Sequence, residues 1–255
     1  MPLELVTLPC LADNYAYLLH NAETGQTALV DAPENFPIQR ALEERGWGLD
    51  LILLTHHHWD HIDGVEPLRA AYGAKVIGGA ADAHRLPKLD RAVKEGDVID
   101  VLGEAAHVIE VSGHTVGHIA FYIPGIGAVF TADSLMALGC GRLFEGTPAQ
   151  MWQSLLKLRA LPPQTLVCSG HEYTASNARF ALTIEPANAA LAARAEEIAA
   201  KRSTGEATVP SILSDEIATN PFLRADLPEV KAAVGMQDAE DAAVFAEIRA
   251  RKDKF

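Results

Sequence analysis

Residues 51–61 read LILLTHHHWDH, and this stretch decides how the rest of the chain is read. Leu51 to Thr55 is a continuous apolar run of strand length, the pattern of a strand buried on both faces. It runs directly into four ligand-type residues within six positions: His56, His58, Asp60 and His61. In an extended chain successive side chains alternate between faces, so His56 and His58 share one side and His57 takes the other. As the chain turns toward the helix opened by Asp63-Gly64, Asp60 and His61 can swing back to the side of His56. Val65, Leu68 and Ala71 carry that helix to Gly73. Imidazole and carboxylate donors suit zinc, iron or manganese, and without clustered cysteine they fit an open catalytic site better than a closed structural one. An isolated histidine run reads equally well as a solvated turn. Here the buried strand before it and the Asp-His after it favour a metal site.

Working outward, LELVTL, YAYLLH and TALVDA read as strands before the histidines, with a helical stretch near residues 37–45. Later strands are expected at 75–78, 106–112, 119–123, 128–131 and 165–169. Three further donors follow such runs: His114 after HVIEV, Asp133 after AVFTA and His171 after TLVCSG. Each alone is ordinary. Four donor groups at strand ends, one of them a histidine cluster, predict a centre for two metal ions. Asp31 and His118 are placed to orient ligand imidazoles by hydrogen bonding. His57 packs behind the cluster, His20, His84 and His107 read as surface residues, and Cys140 reads as a small residue in a tight turn.

After residue 172 the texture changes to alanine-rich, helix-periodic segments, NARFALT, PANAALAARAEEIAAKR and AEDAAVFAEIRARK. The division expected is an α/β domain over 1–172 and a helical domain over 173–255, the latter too short to stand undocked. The 255 residues carry 21 Lys and Arg against 34 Asp and Glu, a formal net charge of −13, which argues against nucleic acid or anionic membrane as partners. Cys10, Cys140 and Cys168 form no CxxC pair, so a reducing, cytoplasmic setting is expected. No apolar run reaches the roughly 18 residues of a membrane span.

The string THHHWDH resembles the THxHxDH signature of the metallo-β-lactamase superfamily. That resemblance implies a four-layer αβ/βα sandwich with a smaller C-terminal α-helical domain. It also implies a ligand set: His56, His58 and His114 on one metal, Asp60, His61 and His171 on the other, and Asp133 bridging. DNYAYLL, FTADSLMALGCGRLFEG, SGHEYT, EPANAAL, TNPFLR and RARKDKF extend the likeness over nearly the whole chain, to the glyoxalase II (hydroxyacylglutathione hydrolase) family. This implies hydrolysis of S-D-lactoylglutathione and other S-2-hydroxyacylglutathiones to the free acid and glutathione. The implied cofactor is two divalent ions, zinc foremost and iron or manganese as alternatives, which turn water into the attacking hydroxide. Asp60 and Asp133 carry the catalytic carboxylate roles. Implied glutathione contacts are Arg142, Phe144, Tyr173, Arg249 and Lys252. Two positions depart from the family pattern, Phe144 standing where many relatives have tyrosine and Arg142 where many have lysine. The only partner expected is the small-molecule thioester, met by a monomer. The competing reading is a one-iron glutathione persulfide dioxygenase of the same superfamily, against which GCGRLFEG and the terminal RARKDKF weigh.

Overall fold

The apolar run before the histidines is a strand with paired neighbours on both sides. The computed structural model describes residues 3–255, which part into two compact units: residues 3–110 with 116–131, and residues 111–115 with 132–255. In the first unit β1 (Glu4–Cys10), β2 (Asn14–Asn21), β3 (Gln26–Val30), β4 (Leu51–Leu54), β5 (Lys75–Gly79) and β6 (Arg91–Val93) lie side by side in chain order. β1, β2 and β3 pair antiparallel, whereas β3 to β6 run parallel. Parallel neighbours need crossovers, and α1 (Phe36–Arg45) and α3 (Val65–Tyr72) supply two of them, with the single turn α2 (Trp59–Ile62) between β4 and α3.

Alternation along the strands sorts the core. Leu18, Leu29, Ile52, Leu54 and Val76 form one cluster with Ile38 and Leu42 of α1 and Val65 and Leu68 of α3. From the other face Tyr17 meets Phe130 edge-on, ring centroids 5.6 Å apart. Phe130 belongs to an antiparallel meander of β7 (Val98–Val101), β8 (Glu104–Glu110), β9 (Ile119–Ile123) and β10 (Ala128–Ala132). Burial on both faces is why LILL is apolar throughout. One expectation fails here. His20 is buried within β2, its Nδ1 2.9 Å from Thr27 Oγ1 and its ring stacked 3.9 Å from Trp47; the apolar cover comes from a residue 27 positions away. His84 and His107 are exposed.

The second unit contains the hairpin β11 (Leu135–Met136) and β12 (Gly139–Cys140), then α4 (Pro148–Arg159) and β13 (Leu166–Ser169), the latter paired with β14 (Ser211–Ile212). Its helices are α5 (Thr174–Ile184), α6 (Ala189–Ser203), α7 (Leu213–Thr219), α8 (Pro228–Val234) and α9 (Asp241–Lys254). A capping box starts α4: Thr147 Oγ1 accepts from Gln150 N at 3.2 Å, and Gln150 Oε1 accepts from Thr147 N at 2.8 Å. Trp152, Phe180, Phe222 and Phe245 form an aromatic chain with centroid spacings of 5.8–6.0 Å, closing α5 and α9 onto α4. Fully buried Glu216 takes the Leu138 N–H at 2.8 Å and is paired with Arg194, while Asn220 Nδ2 donates to the Met136 and Gly139 carbonyls. These bonds pin the β11–β12 hairpin, the segment between Asp133 and Arg142. Among the described residues no helix is long and apolar enough to cross a membrane, and all three cysteines are free.

Candidate metal centre

In the first unit the donors sit on the loop leaving the carboxyl end of parallel strand β4, where open α/β sheets place their ligands. Asp31, just past β3, organises this loop. Its Oδ1 accepts the Thr55 N–H at 2.9 Å, and its Oδ2 accepts the Thr55 hydroxyl at 2.8 Å and faces His61 Nδ1 at 2.9 Å. Thr55 Oγ1 in turn lies 3.0 Å from His56 Nδ1. The threonine has one proton and spends it on Asp31, so His56 Nδ1 must donate; His61 Nδ1 likewise donates to the carboxylate. Both rings are thereby fixed in the tautomer whose Nε2 carries the lone pair a metal needs. Asp31, His56 and His61 bring ligand atoms within 4.8 Å of one another, but with both oxygens of Asp31 engaged its part is to orient the rings.

Asp31 adopts φ 55°, a left-handed backbone that costs a non-glycine residue roughly 1–2 kcal/mol. Backbone bonds hold it there: Asp31 N to Leu53 O, Ala32 N to His61 O and Gly64 N to Ala32 O, all 2.8–2.9 Å. Gly64 is required for this approach, because a Cβ would lie 2.7 Å from the Glu34 carbonyl carbon. His58 meets His56 edge to face at 4.8 Å. His57 turns to the other side and contacts Asp82 Oδ2 at 2.9 Å. His118 supports His56 by stacking, centroids 4.5 Å apart, while its own Nδ1 is spent on the Ile119 carbonyl.

In the second unit His114 Nδ1 donates to the Arg142 carbonyl at 2.7 Å, fixing the same tautomer for the same reason. Asp133 Oδ2 lies 3.5 Å from His114 Nε2 and 3.2 Å from His171 Nε2. Because His114 Nδ1 holds the ring proton, the Asp133 oxygen faces that ring's Nε2 lone pair, a juxtaposition that a cation between them would stabilise. Ala132, at φ 41°, turns the chain into Asp133. Gly141 packs under this group; a Cβ there would meet the Asp133 carbonyl oxygen at 1.9 Å and His114 Nδ1 at 2.9 Å. The donors are imidazole and carboxylate, with the Nε2 lone pair fixed in His56, His61 and His114, and they fit zinc, iron or manganese.

Around these donors Tyr173 stacks on His171 at 4.7 Å and Phe144 meets His114 edge-on at 5.3 Å, both rings remaining largely exposed. Arg142 is exposed, its Nε 3.6 Å from Asp253. Lys252 Nζ sits over the Phe180 and Phe255 rings, 5.2 and 5.1 Å from their centroids, and near the Ser176 carbonyl at 3.3 Å. Burial, then the charges of Arg249 and Arg179, push its ammonium down to about 8. Arg249 is buried. It donates to the Cys140 carbonyl at 3.0 Å and twice to Asp253 Oδ1, at 3.1 and 2.8 Å, so it braces the β12 turn and Asp253 from behind.

The family model described as the metallo-beta-lactamase superfamily matches residues 13–171, and that described as the hydroxyacylglutathione hydrolase C-terminus matches residues 172–255. A hydroxyacylglutathione hydrolase from Ruegeria pomeroyi is 67% identical and one from Cereibacter sphaeroides 68% identical, each over 255 residues and the whole of both chains. The chain belongs to the hydroxyacylglutathione hydrolase family. The Rhodobacter capsulatus hydroxyacylglutathione hydrolase, at 57% over 256 residues and the whole of both chains, extends the relationship. Among solved structures, BLEG-1, a B3 metallo-β-lactamase, aligns at TM-score 0.67 and 20% identity over 86% of this chain and 99% of its own. ETHE1 from Myxococcus xanthus aligns at 0.67 and 24% over 99% and 98%. At those identities the likeness concerns the fold, which is the metallo-β-lactamase fold followed by the helical C-terminal region of the hydroxyacylglutathione hydrolases.

Proposed function

We propose that this chain hydrolyses S-D-lactoylglutathione and related S-2-hydroxyacylglutathiones to the 2-hydroxy acid and glutathione. We further propose that residues 1–172 carry the metal centre and residues 173–255 much of the substrate recognition. The observation that carries the reading is kinship to hydroxyacylglutathione hydrolases at 57–68% identity over the full length, helical C-terminal region included. In this reading His56, His58 and His114 hold one divalent ion, Asp60, His61 and His171 a second, and Asp133 both, with zinc the proposed metal and iron or manganese accepted by the same donors. When bound, such a pair supplies hydroxide at neutral pH and polarises the thioester carbonyl.

The chain's own residues do the rest. Asp133 balances positive charge, and Asp60 accepts the nucleophile's proton as a hydrogen bond and so aims it. Lys252 and Arg142 offer cations to the carboxylates of glutathione, a local attraction that the overall acidity does not provide. Phe144 contributes a ring without the phenol donor. No cysteine serves as nucleophile: burial pushes the Cys140 thiol up to about 11 and that of Cys10 up to about 12, and raises Cys168 as well. A thiol with a pKa near 8.5 also leaves without an acid.

A comparison of S-D-lactoylglutathione with the lactoyl thioester of a simple thiol tests the recognition half. kcat/KM should be at least about 100-fold lower for the simple thioester, the worth of two charge-assisted hydrogen bonds; equal values would detach glutathione from the site. Lys252 adds a pH signature. Its ammonium is present below about pH 8 and lost above it, so kcat/KM for the glutathione thioester should fall as pH rises through that value. In Lys252→Arg the guanidinium stays charged and this alkaline fall should vanish. Lys252→Ala should raise KM about tenfold and move kcat less. A pH profile identical in wild type and Lys252→Arg would remove Lys252 from the binding step.

A further inference from the structure

Asn14 has no place in the donor set, yet it is buried at the first position of β2, backbone-paired with Cys10 across a turn in which Leu11 takes φ 49°. Its side-chain nitrogen makes two contacts with one residue 46 positions away, donating to the Asp60 carbonyl at 3.0 Å and to Asp60 Oδ2 at 3.2 Å. A primary amide has two N–H groups, so the pair of bonds fixes backbone and carboxylate of Asp60 together. α2, which carries Asp60, is four residues long and cannot hold its own geometry.

We propose that Asn14 is the positioning residue for Asp60, an inference that rests on the reading of Asp60 as a metal ligand. The amide suits this task for a chemical reason. Lysine or arginine in its place would orient the carboxylate but cancel its charge, whereas a neutral donor orients it and leaves the full negative charge for a cation. The device is local. His56 and His61 are oriented separately, through Thr55 and Asp31, so loss of Asn14 loosens Asp60 while those rings stay oriented. The consequence is selective: the ion to which Asp60 belongs weakens, and the other does not.

Zinc-loaded wild type, Asn14→Ser, Asn14→Asp and Asp60→Asn, each checked by circular dichroism and Tm, can be titrated with a chromophoric zinc chelator to resolve both zinc affinities. Both Asn14 variants should weaken one zinc by about 10- to 100-fold and spare the other, Asn14→Asp the more strongly because a carboxylate repels its neighbour. kcat should fall with KM little changed. If Asn14→Asp does not fold, Asn14→Ser decides alone. Wild-type affinities for both zincs in Asn14→Ser, or equal weakening of both, would overturn the proposal. Retention of both zincs by Asp60→Asn would instead overturn the reading of Asp60 on which it rests.

Discussion

Asp133→Ala should lose bound zinc and drop kcat/KM for S-D-lactoylglutathione by at least about 10³-fold, more than removal of a single transition-state donor costs elsewhere. The carboxylate is buried, with Oδ2 3.5 Å from His114 Nε2 and 3.2 Å from His171 Nε2. Without it the anion beside both imidazoles is gone, and in the proposed ligand set Asp60 is left as the one carboxylate to offset a pair of dications. The loss is therefore of the centre rather than of one step. Asp133→Asn keeps the shape without the charge and should show the same loss of zinc. Elemental analysis beside steady-state kinetics reads both outcomes, and two zincs per chain with wild-type activity in Asp133→Ala would defeat the bridging role.

The second large effect is expected at Asp31, which touches no substrate. Asp31→Ala removes the acceptor of the Thr55 N–H, the Thr55 hydroxyl and His61 Nδ1. Zinc affinity should fall about 10- to 100-fold, the usual cost of a lost orienting partner. Each buried donor left without an acceptor costs about 1–3 kcal/mol, so metal-free Tm should fall as well. Alanine also tolerates φ 55° less well than aspartate. Asp31→Asn separates these causes: it retains backbone tolerance and one acceptor oxygen, so it should recover much of the Tm but less of the zinc affinity. Equal zinc binding in wild type and Asp31→Ala would show that the rings hold their tautomers without it.

What could be read in advance follows from the range of the forces involved. LILL before the histidines and the spacing of His56 and His58 record strand burial and strand alternation, which are local. His114, Asp133 and His171 could be picked out because each closes a β-rich run. The hairpin of β11 and β12 has two residues a strand, too few for any periodicity, and depends on Glu216 and Asn220 far along the chain. α4 was legible in principle from Thr147-Pro148 and Gln150, yet its burial against Phe245 was not. Thr55 and Asn14 sit inside THHHWDH and DNYAYLL, yet those strings do not tell what the two residues do, because each acts through a partner distant in sequence, Asp31 and Asp60. Arg249, a glutathione contact implied by the family resemblance, also donates to the Cys140 carbonyl and to Asp253, and the first of these ties spans 109 positions and left no trace in the local pattern.

The central claim is that thioester hydrolysis here depends on metal held by histidine and aspartate. It is tested most directly by assaying S-D-lactoylglutathione hydrolysis with one preparation divided into untreated, chelator-stripped and zinc-restored portions. The expected result is loss of activity on stripping and its recovery as zinc approaches two per chain. Undiminished hydrolysis by the stripped portion, or none in any of the three, would contradict it.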